Sequence, residues 1–147
     1  GITDPWDHGE ALMGLNVAGR FAASLRGFEW LSRMQRVDGA WYAAYQGDVV
    51  ADDTRAETNF VAYVAAGLWH YYLATEDPQS LTRYGPMISR AVEFVLAQQA
   101  PSGEIYWAVD SNSGTSKDAL VTGCSAIYTS LACACHTGTT LGEPCVM

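Results

Sequence analysis

Apolar residues recur along this chain with the period of an α-helix, and their spacing predicts five helices. The predicted helices run from about 6 to 18, 19 to 36, 54 to 74, 78 to 99 and 116 to 135. The second and fourth carry their apolar residues on one stripe, whereas the third is apolar nearly all round, as is typical of an interior helix. This alternation predicts an all-α protein with an inner and an outer layer of helices.

Two segments of the chain match each other at a spacing of 64 residues, from Arg26 to Arg90. Each segment reads as a helix that ends in glutamine, a short turn closed by glycine, and a bulky residue two positions later. The matched positions are Arg26, Gly27, Trp30, Leu31, Gln35, Gly39 and Trp41 in the first copy and Arg90, Ala91, Phe94, Val95, Gln99, Gly103 and Ile105 in the second. A repeat of this size fits a helical hairpin, which buries its apolar face only by stacking on neighbours.

The repeat resembles the QW motif of squalene and terpenoid cyclases, a motif found more loosely in prenyltransferase-like and other α/α-toroid proteins. The first copy fills every position of the motif, and the second has Ile105 where tryptophan is expected. In the motif, the amide of Gln35 bonds orphan backbone groups of the next helix, and the indole of Trp41 stacks on that amide. The resemblance implies a partial α/α toroid over residues 1–136, followed by an irregular tail over 137–147.

A full toroid has about six hairpins, and these 147 residues supply about five helices, or roughly half a ring. The resemblance therefore implies a truncated member or a fragment, and the opening at Gly1 reads as if cut from something longer. Half a ring leaves the apolar sides of its terminal helices exposed, and large apolar patches mark interfaces. We therefore expect a homodimer of two half-rings.

Composition limits the partners of the protein. Hydrophobic residues make up 49% of the chain, which excludes disorder. The net charge of −8 argues against nucleic acid or an anionic membrane surface as partner. No apolar run reaches the ~18 residues that a membrane span requires.

All four cysteines lie in the last quarter of the chain, which does not suggest a disulfide framework. We therefore predict a reducing compartment and a cytoplasmic location. Zinc is an open alternative, because Cys133, Cys135 and His136 with Cys124 and Cys145 include metal-ligand types. The pattern lacks a second CxxC or HxxxH half, so no metal ligand is assigned and packed thiols are favoured.

Eight carboxylates and one histidine collect just before or at the start of the predicted inner helices, where a toroid opens into its cavity. These residues and the aromatic residues beside them are Asp7, His8, Glu10, Asp52, Asp53, Glu57, Glu104, Asp110 and Asp118, with Trp6, Trp41, Tyr42, Tyr45, Tyr106 and Trp107. Carboxylates at helix N-termini are also favoured by the helix dipole, so capping is the alternative interpretation. Asp4, followed by Pro5, is a predicted N-cap of this kind. His70, deep in the third helix, is predicted to be a hydrogen-bonded core histidine.

Several carboxylates within aromatic walls suit a sugar-like substrate, so the first hypothesis is a glycosidase-like hydrolase. Two carboxylates in unequal environments can serve as general acid and general base. We predict Glu10, Asp7 and Glu57 as acid and base, with His8 as a further base or a ligand in a metal-assisted variant. The predicted substrate-binding residues are Trp6, Trp41, Tyr42, Tyr45, Asp53, Tyr106, Trp107, Asp110 and Asp118.

Two other hypotheses remain open. The resemblance implies an isoprenoid cyclase or prenyltransferase, but the cyclase Asp-x-Asp-Asp acid is represented only by Asp52 and Asp53, with Val50 at the first position. The Asp-x-Cys zinc ligands of prenyltransferases do not occur in the sequence. The third hypothesis is a truncated repeat module that binds a partner without catalysis, because fold does not imply function.

Overall fold

The computed structural model describes residues 1–145, which form five α-helices and five short β-strands. The helices are α1 (Pro5–Val17), α2 (Phe21–Met34), α3 (Thr58–Thr75), α4 (Pro78–Leu96) and α5 (Val121–Thr140). The strands are β1 (Ala44–Gln46), β2 (Val49–Asp52), β3 (Arg55–Glu57), β4 (Ala108–Asp110) and β5 (Gly114–Thr115).

The helices form an arc with an inner row and an outer row. Helix α3 lies between α1 and α5 in the inner row, while α2 packs on α1 and α4 packs on α3 and α5 from outside. Val61, Val64 and Leu68 of α3 are almost completely buried, which confirms the prediction of an interior helix. Phe28 of α2 and Leu81 of α4 fill the space between the rows.

Aspartate caps begin one helix in each row. Oδ1 of Asp4 accepts a hydrogen bond from the backbone N–H of Asp7 at 2.8 Å, which confirms the predicted N-cap. Oδ1 of Asp77 accepts in the same way from the N–H of Gln79 at 3.0 Å. A proline follows each cap, where its missing N–H costs no intrahelical bond.

The repeated turns close as the motif predicts. Nε2 of Gln35 donates to the carbonyl of Gly39, and Nε2 of Gln99 donates to that of Gly103, both at 2.9 Å. Nε2 of Gln35 also donates to the carbonyl of Met87 at 2.9 Å. Met87 lies in the middle of α4, so the glutamine bonds a helix flank, whereas the motif implied an orphan helix end.

The five strands correct the prediction of an all-α chain. Strands β3, β4 and β5 form an antiparallel sheet in which Arg55 pairs with Asp110 and Glu57 with Ala108. Strands β1 and β2 form a separate hairpin. Each strand has two to four residues, too few for an alternating pattern to be recognised in the sequence. Because Arg55–Glu57 forms β3, α3 begins at Thr58 and not near residue 54.

The end of the chain also differs from the prediction. Helix α5 runs to Thr140, so the predicted irregular tail over 137–147 is wrong for residues 137–140. Residues 143–145 have no regular structure, and Val146 and Met147 of the predicted tail lie outside the described residues.

A disulfide joins Cys135 of α5 to Cys145, with an S–S distance of 2.04 Å. The prediction of packed thiols therefore holds only for Cys124 and Cys133, and the prediction of a cytoplasmic location loses its cysteine argument. Within residues 1–145, no group of three or more His, Cys, Asp or Glu side chains could hold a metal ion. No helix in that part of the chain has the length and apolar character needed to cross a bilayer.

Candidate active site

The N-terminal ends of the three inner helices meet on one side of the arc. The ring of Trp6 at the start of α1 lies with its centroid 6.2 Å from that of Phe60 in α3. The carbonyl of Trp107 accepts from the N–H of Thr58 at 2.9 Å, and the Trp107 N–H donates to the carbonyl of Asp118 at 2.7 Å. We call this side the mouth, formed by residues 3–10, 52–63 and 106–118. The predicted convergence of the helix entrances is thus present.

Glu10 and Tyr63 form a short hydrogen bond at the mouth. The hydroxyl of Tyr63 donates to Oε1 of Glu10 at 2.5 Å, and the Trp6 ring stacks on Tyr63 at a centroid distance of 3.8 Å. Burial, followed by the bond to Glu10, raises the pKa of Tyr63 to about 12. Tyr63 therefore remains a hydrogen-bond donor across the physiological pH range. Its hydrogen bond holds the exposed carboxylate of Glu10 in one orientation.

Asp4 and Asp7 occupy unequal environments three residues apart. Burial, with a further contribution from the nearby charge of Asp7, raises the pKa of Asp4 despite the backbone bond from Asp7. Asp7 itself is exposed at the start of α1. A carboxyl with a raised pKa beside exposed carboxylates is the arrangement from which general acid and base pairs are built.

Glu57 is buried at the mouth and bound by a neighbouring arginine. Nε and Nη2 of Arg55 both lie 2.8 Å from Oε1 of Glu57, whose side chain is only 7% exposed. Alternate residues of a strand share one face, which is why β3 places these two side chains together. The Arg55 guanidinium also lies over the Trp107 ring, 5.6 Å from its centroid. Glu57 is thereby held as one partner of an ion pair, and this favours a role in orienting groups over proton transfer.

His8 belongs to the first segment of the mouth, but its side chain packs against α2. Its ring stacks on Trp30 at a centroid distance of 4.7 Å, and its Nε2–H donates to the carbonyl of Gly27 at 3.2 Å. Burial lowers the pKa of His8, so the ring is neutral near pH 7. Helix packing accounts for these contacts, and the predicted catalytic role of His8 gains no partner at the mouth. His70 is a hydrogen-bonded histidine, as predicted, because Nδ2–H of Asn16 donates to its Nδ1 at 3.2 Å.

The predicted aromatic residues divide between the core and the mouth. Trp41 and Tyr45 are fully buried, and Nε1 of Trp41 donates to the carbonyl of Leu31 at 2.8 Å. Neither ring is accessible to a substrate, since both pack beneath the turn that the repeat closes. Tyr42 lies partly covered by Arg36, and Tyr106 is half-buried. Trp6 and Trp107 are the predicted rings that lie beside mouth carboxylates.

Of the other carboxylates predicted to bind substrate, Asp110 ends β4 and Asp53 and Asp118 lie in loops of the mouth. Oδ1 of Asp110 accepts from the N–H groups of Asn112 and Ser113 at 2.9 and 2.8 Å, and these bonds lower the pKa of Asp110. This is a turn-closing role, the alternative foreseen for mouth carboxylates. Asp53 and Asp118 are exposed on their loops.

Sequence reasoning missed the residues that contact the mouth carboxylates. No local pattern marks Arg55, and Tyr63 lies within the apolar run of α3. A signal was present: Asn59, Tyr63 and His70 are spaced four and seven residues apart, which places them on one helix face. This half-buried face of α3 carries its polar side chains.

Known proteins that resemble this chain are carbohydrate enzymes. No protein-family model matches the chain. The chain is 43% identical over 144 residues to the MMP endo-(1,4)-3-O-methyl-alpha-D-mannosidase of Mycolicibacterium hassiacum. The match covers 98% of this chain and 40% of the mannosidase, so the chain spans less than half the length of that relative.

Solved structures of sugar epimerases and isomerases share the fold. A D-mannose isomerase matches with a TM-score of 0.67 and 14% identity, over 94% of this chain and 35% of that one. The cellobiose 2-epimerase of Spirochaeta thermophila DSM 6192 matches with a TM-score of 0.62 and 13% identity, over 92% and 37% of the two chains. A sugar epimerase from a ruminal bacterium matches with a TM-score of 0.59 and 18% identity, over 74% and 29%.

At such low identity the solved structures establish the fold alone, which is part of an α/α toroid. These likenesses do not support the kinship with squalene cyclases and prenyltransferases that the repeat implied. The shared turn chemistry is therefore a property of the helical hairpin, and it does not identify the reaction.

Proposed function

We propose that this chain forms part of a glycoside hydrolase that cleaves within chains of α-(1,4)-linked 3-O-methylmannose. The observation that carries the proposal is the 43% identity to the M. hassiacum mannosidase, which extends over 98% of this chain and so includes every segment of the mouth. The carboxylates and aromatic rings of the mouth supply the groups that hydrolysis of a glycosidic bond requires.

Asp4 is the proton donor in this proposal. Burial raises the pKa of Asp4, which is the direction of shift that a general acid needs. The proton goes to the glycosidic oxygen as its bond to the anomeric carbon breaks. Asp7, whose charge contributes to the raised pKa of Asp4, supports this state.

Glu10 is the general base. The Tyr63 hydroxyl binds Oε1, which leaves Oε2 to accept a proton from the water that attacks the anomeric carbon. One water is consumed, its hydroxyl joins the sugar and its proton goes to Glu10. The ion pair holds the Arg55 and Glu57 side chains in fixed positions. In this proposal the two side chains orient the sugar hydroxyls.

The aromatic rings favour a methylated sugar. The stacked Trp6 and Tyr63 rings form an apolar wall beside Glu10, and Trp107 lies beside Arg55. A 3-O-methyl group adds apolar surface to the sugar, and burying one methyl group contributes on the order of 0.8 kcal/mol. The proposal therefore includes preference for the methylated over the unmethylated oligosaccharide.

The test is cleavage of a 3-O-methylmannose oligosaccharide, followed by mass spectrometry of the products. Glu10→Gln should lower the rate by about 100-fold or more, because general base catalysis contributes on the order of 10²–10⁴. Glu76→Gln, at the opposite end of α3, is the matched control and should retain activity. A folded Asp4→Asn, Glu10→Gln double variant that still cleaves would remove the proposal.

A homodimer remains a proposal that accompanies this function. The sides of the arc expose apolar side chains, with Val17 of α1 81% exposed and Tyr128 of α5 72% exposed. Each copy has three inner helices, so two copies joined through these sides would supply six, the number in a full ring.

A further inference from the structure

Two polar contacts join α1 to α3, one at the mouth and one farther along the helices. At the mouth, the Tyr63 hydroxyl donates to Glu10. Farther along, Nδ2–H of Asn16 donates to Nδ1 of His70 at 3.2 Å. The proposed hydrolysis uses the first contact and leaves the second without a role. His70 follows Tyr63 by seven residues, so the two side chains share one face of α3, about 10 Å apart along the helix axis.

The bond from Asn16 fixes which nitrogen of His70 carries the proton. Nδ2 of Asn16 can only donate, so Nδ1 of His70 accepts and the ring proton is on Nε2. Nε2 makes no hydrogen bond within residues 1–145, and it is not enclosed, because the ring is only half-buried. His70 therefore presents a free N–H donor whose direction is held by Asn16.

Asn16 is not explained by helix packing alone. The residue is 3% exposed, and its Oδ1 is buried without a hydrogen-bond partner among residues 1–145. A buried acceptor left unpaired costs free energy, and an apolar side chain of similar shape, such as leucine, would avoid that cost. The polar side chain is thus unfavourable for packing but necessary for the orientation of the His70 ring.

The surface between the two contacts is apolar and free of large side chains on α3. Ala66 lies on the shared face, three residues after Tyr63 and four before His70, and it is half-buried. On α1, the half-buried Met13 lies three residues after Glu10. A polar contact at each end of a small apolar surface suits a chain of sugars, whose rings have apolar faces and whose hydroxyl groups form hydrogen bonds.

We propose that the Nε2–H of His70 donates to a hydroxyl oxygen of a second sugar unit, in a chain that is cleaved beside Glu10. This inference rests on the proposed hydrolase and adds a sugar subsite to it, with Asn16 as the positioning residue. The separation of about 10 Å along α3 is farther than one sugar ring reaches, so the ligand that occupies both contacts is an oligosaccharide. Such a chain binds more tightly than a single sugar because it engages both ends of the surface.

The test is NMR of the histidine rings in the full chain, which has only three histidines. The ring nitrogen shifts show which nitrogen carries the proton, and we expect it on Nε2 of His70. We expect these resonances to move when a 3-O-methylmannose oligosaccharide is added to Glu10→Gln, the variant expected to bind without rapid cleavage. The His8 ring packs against α2 and is the internal control, which should not move.

Substitutions on α3 measure what the contact contributes to binding. His70→Phe keeps a ring but removes the donor, so affinity for the oligosaccharide should fall roughly three- to tenfold, as for one lost hydrogen bond. Ala66→Leu keeps the pair of Asn16 and His70 but fills the surface beside it, and it should weaken binding by a similar factor even if His70→Phe does not fold. His136→Phe is the matched control, because that ring stacks on Trp69 of α3 from α5, and it should bind as the parent does.

Asn16→Leu tests the positioning role. The Nδ1 resonance of His70 should move to the value of an unbonded nitrogen and the affinity should fall, while the urea midpoint of unfolding stays close to that of the parent. A purely structural asparagine would show the reverse, an unchanged affinity with a lower midpoint.

The outcomes separate this subsite from the hydrolase. An unmoved His70 ring, an equal movement at His8, or parent-like binding by His70→Phe or Ala66→Leu would overturn the subsite, even if the parent cleaves the oligosaccharide. Movement at His70 with no cleavage by the parent would support the subsite and remove the hydrolase.

Discussion

At the scale of single residues, the environment of a carboxyl group decides its chemistry at the mouth. Asp4 and Asp110 are the same residue type, and each accepts backbone N–H bonds. Burial raises the pKa of Asp4, whereas the hydrogen bonds that Asp110 accepts lower its pKa. Only the pKa of Asp4 is shifted in the direction that a proton donor requires.

An isosteric substitution separates the proposed role of Asp4 as the acid from its role as the N-cap of α1. Asn is as good an N-cap as Asp, so Asp4→Asn should change the unfolding free energy by less than about 0.5 kcal/mol. It cannot donate the proton, so cleavage of the methylmannose oligosaccharide should fall about 100-fold or more. Asp77→Asn alters the same Asp-Pro cap at α4 and should leave the rate unchanged. Equal rates in both variants, measured beside urea unfolding, would exclude Asp4 as the acid.

The raised pKa of Tyr63 predicts that the folded protein loses stability at alkaline pH. Its folded pKa of about 12 lies above the value of about 10 in an unfolded chain, so its contribution is complete below pH 10. The contribution is lost as pH rises from about 10 through about 12, because the unfolded chain releases the proton first. Urea unfolding across this range should show a shallower decline in Tyr63→Phe. The exposed Tyr128→Phe is the control and should follow the parent chain.

At the scale of elements, the two copies of the repeat share a turn but not its surroundings. Gly39 and Gly103 both have positive φ, 90° and 106°, and both follow a glutamine that bonds their carbonyl. A Cβ on Gly39 would lie 2.2 Å from the carbonyl oxygen of Arg90, whereas one on Gly103 meets nothing within 4 Å. The same sequence pattern therefore tolerates change differently according to whether the next outer helix is present.

Alanine at each glycine measures this difference. Gly103→Ala should cost only the backbone strain of positive φ, about 1–2 kcal/mol. Gly39→Ala adds overlap with the backbone of α4 and should cost more than about 4 kcal/mol, among the large values for single substitutions. Thermal and urea unfolding of the two variants give the comparison. A smaller loss in Gly39→Ala than in Gly103→Ala would contradict the packing of α4 against the first turn.

At the scale of the whole molecule, the carboxylates and aromatic rings of the mouth lie on one side of the arc, and exposed apolar residues lie at its edges. The sheet of β3, β4 and β5 ties the loops before α3 and α5 together, which keeps the mouth residues adjacent. The edges of the inner row expose Val17 on α1 and both Val121 and Tyr128 on α5. These edges are the surfaces through which we expect two copies to associate.

Sedimentation velocity at micromolar concentration tests that association. The parent chain should sediment as a dimer, and Tyr128→Glu should shift it to the monomer, because it would bury an unpaired charge in the interface. Leu73→Glu is the control, since Leu73 is exposed at the end of α3 that lies away from the mouth. A monomer in all three samples would remove the dimer proposal.

Local sequence patterns were enough to predict the helices and the repeated turns. Helical periodicity and aspartate caps act within a few residues, and glutamine and glycine at fixed spacing close a turn by contacts four residues apart. For the same reason, Trp6 and Glu10 could be placed at the start of an inner helix. The sequence does not indicate the strands because two to four residues carry too little alternation, and β3 pairs with a strand about fifty residues away.

Tertiary packing alone decided which of the acidic and aromatic residues form a site. Trp41 and Tyr45 are residue types whose rings can stack on a sugar, but α2 and the first turn bury them. Glu10 acquired its partner from Tyr63, 53 positions along the chain, and Glu57 became an ion-paired group because β3 turned Arg55 toward the same face. Burial and long-range contacts determine charge state and access, and neither quantity is encoded by the spacing of neighbours along the sequence.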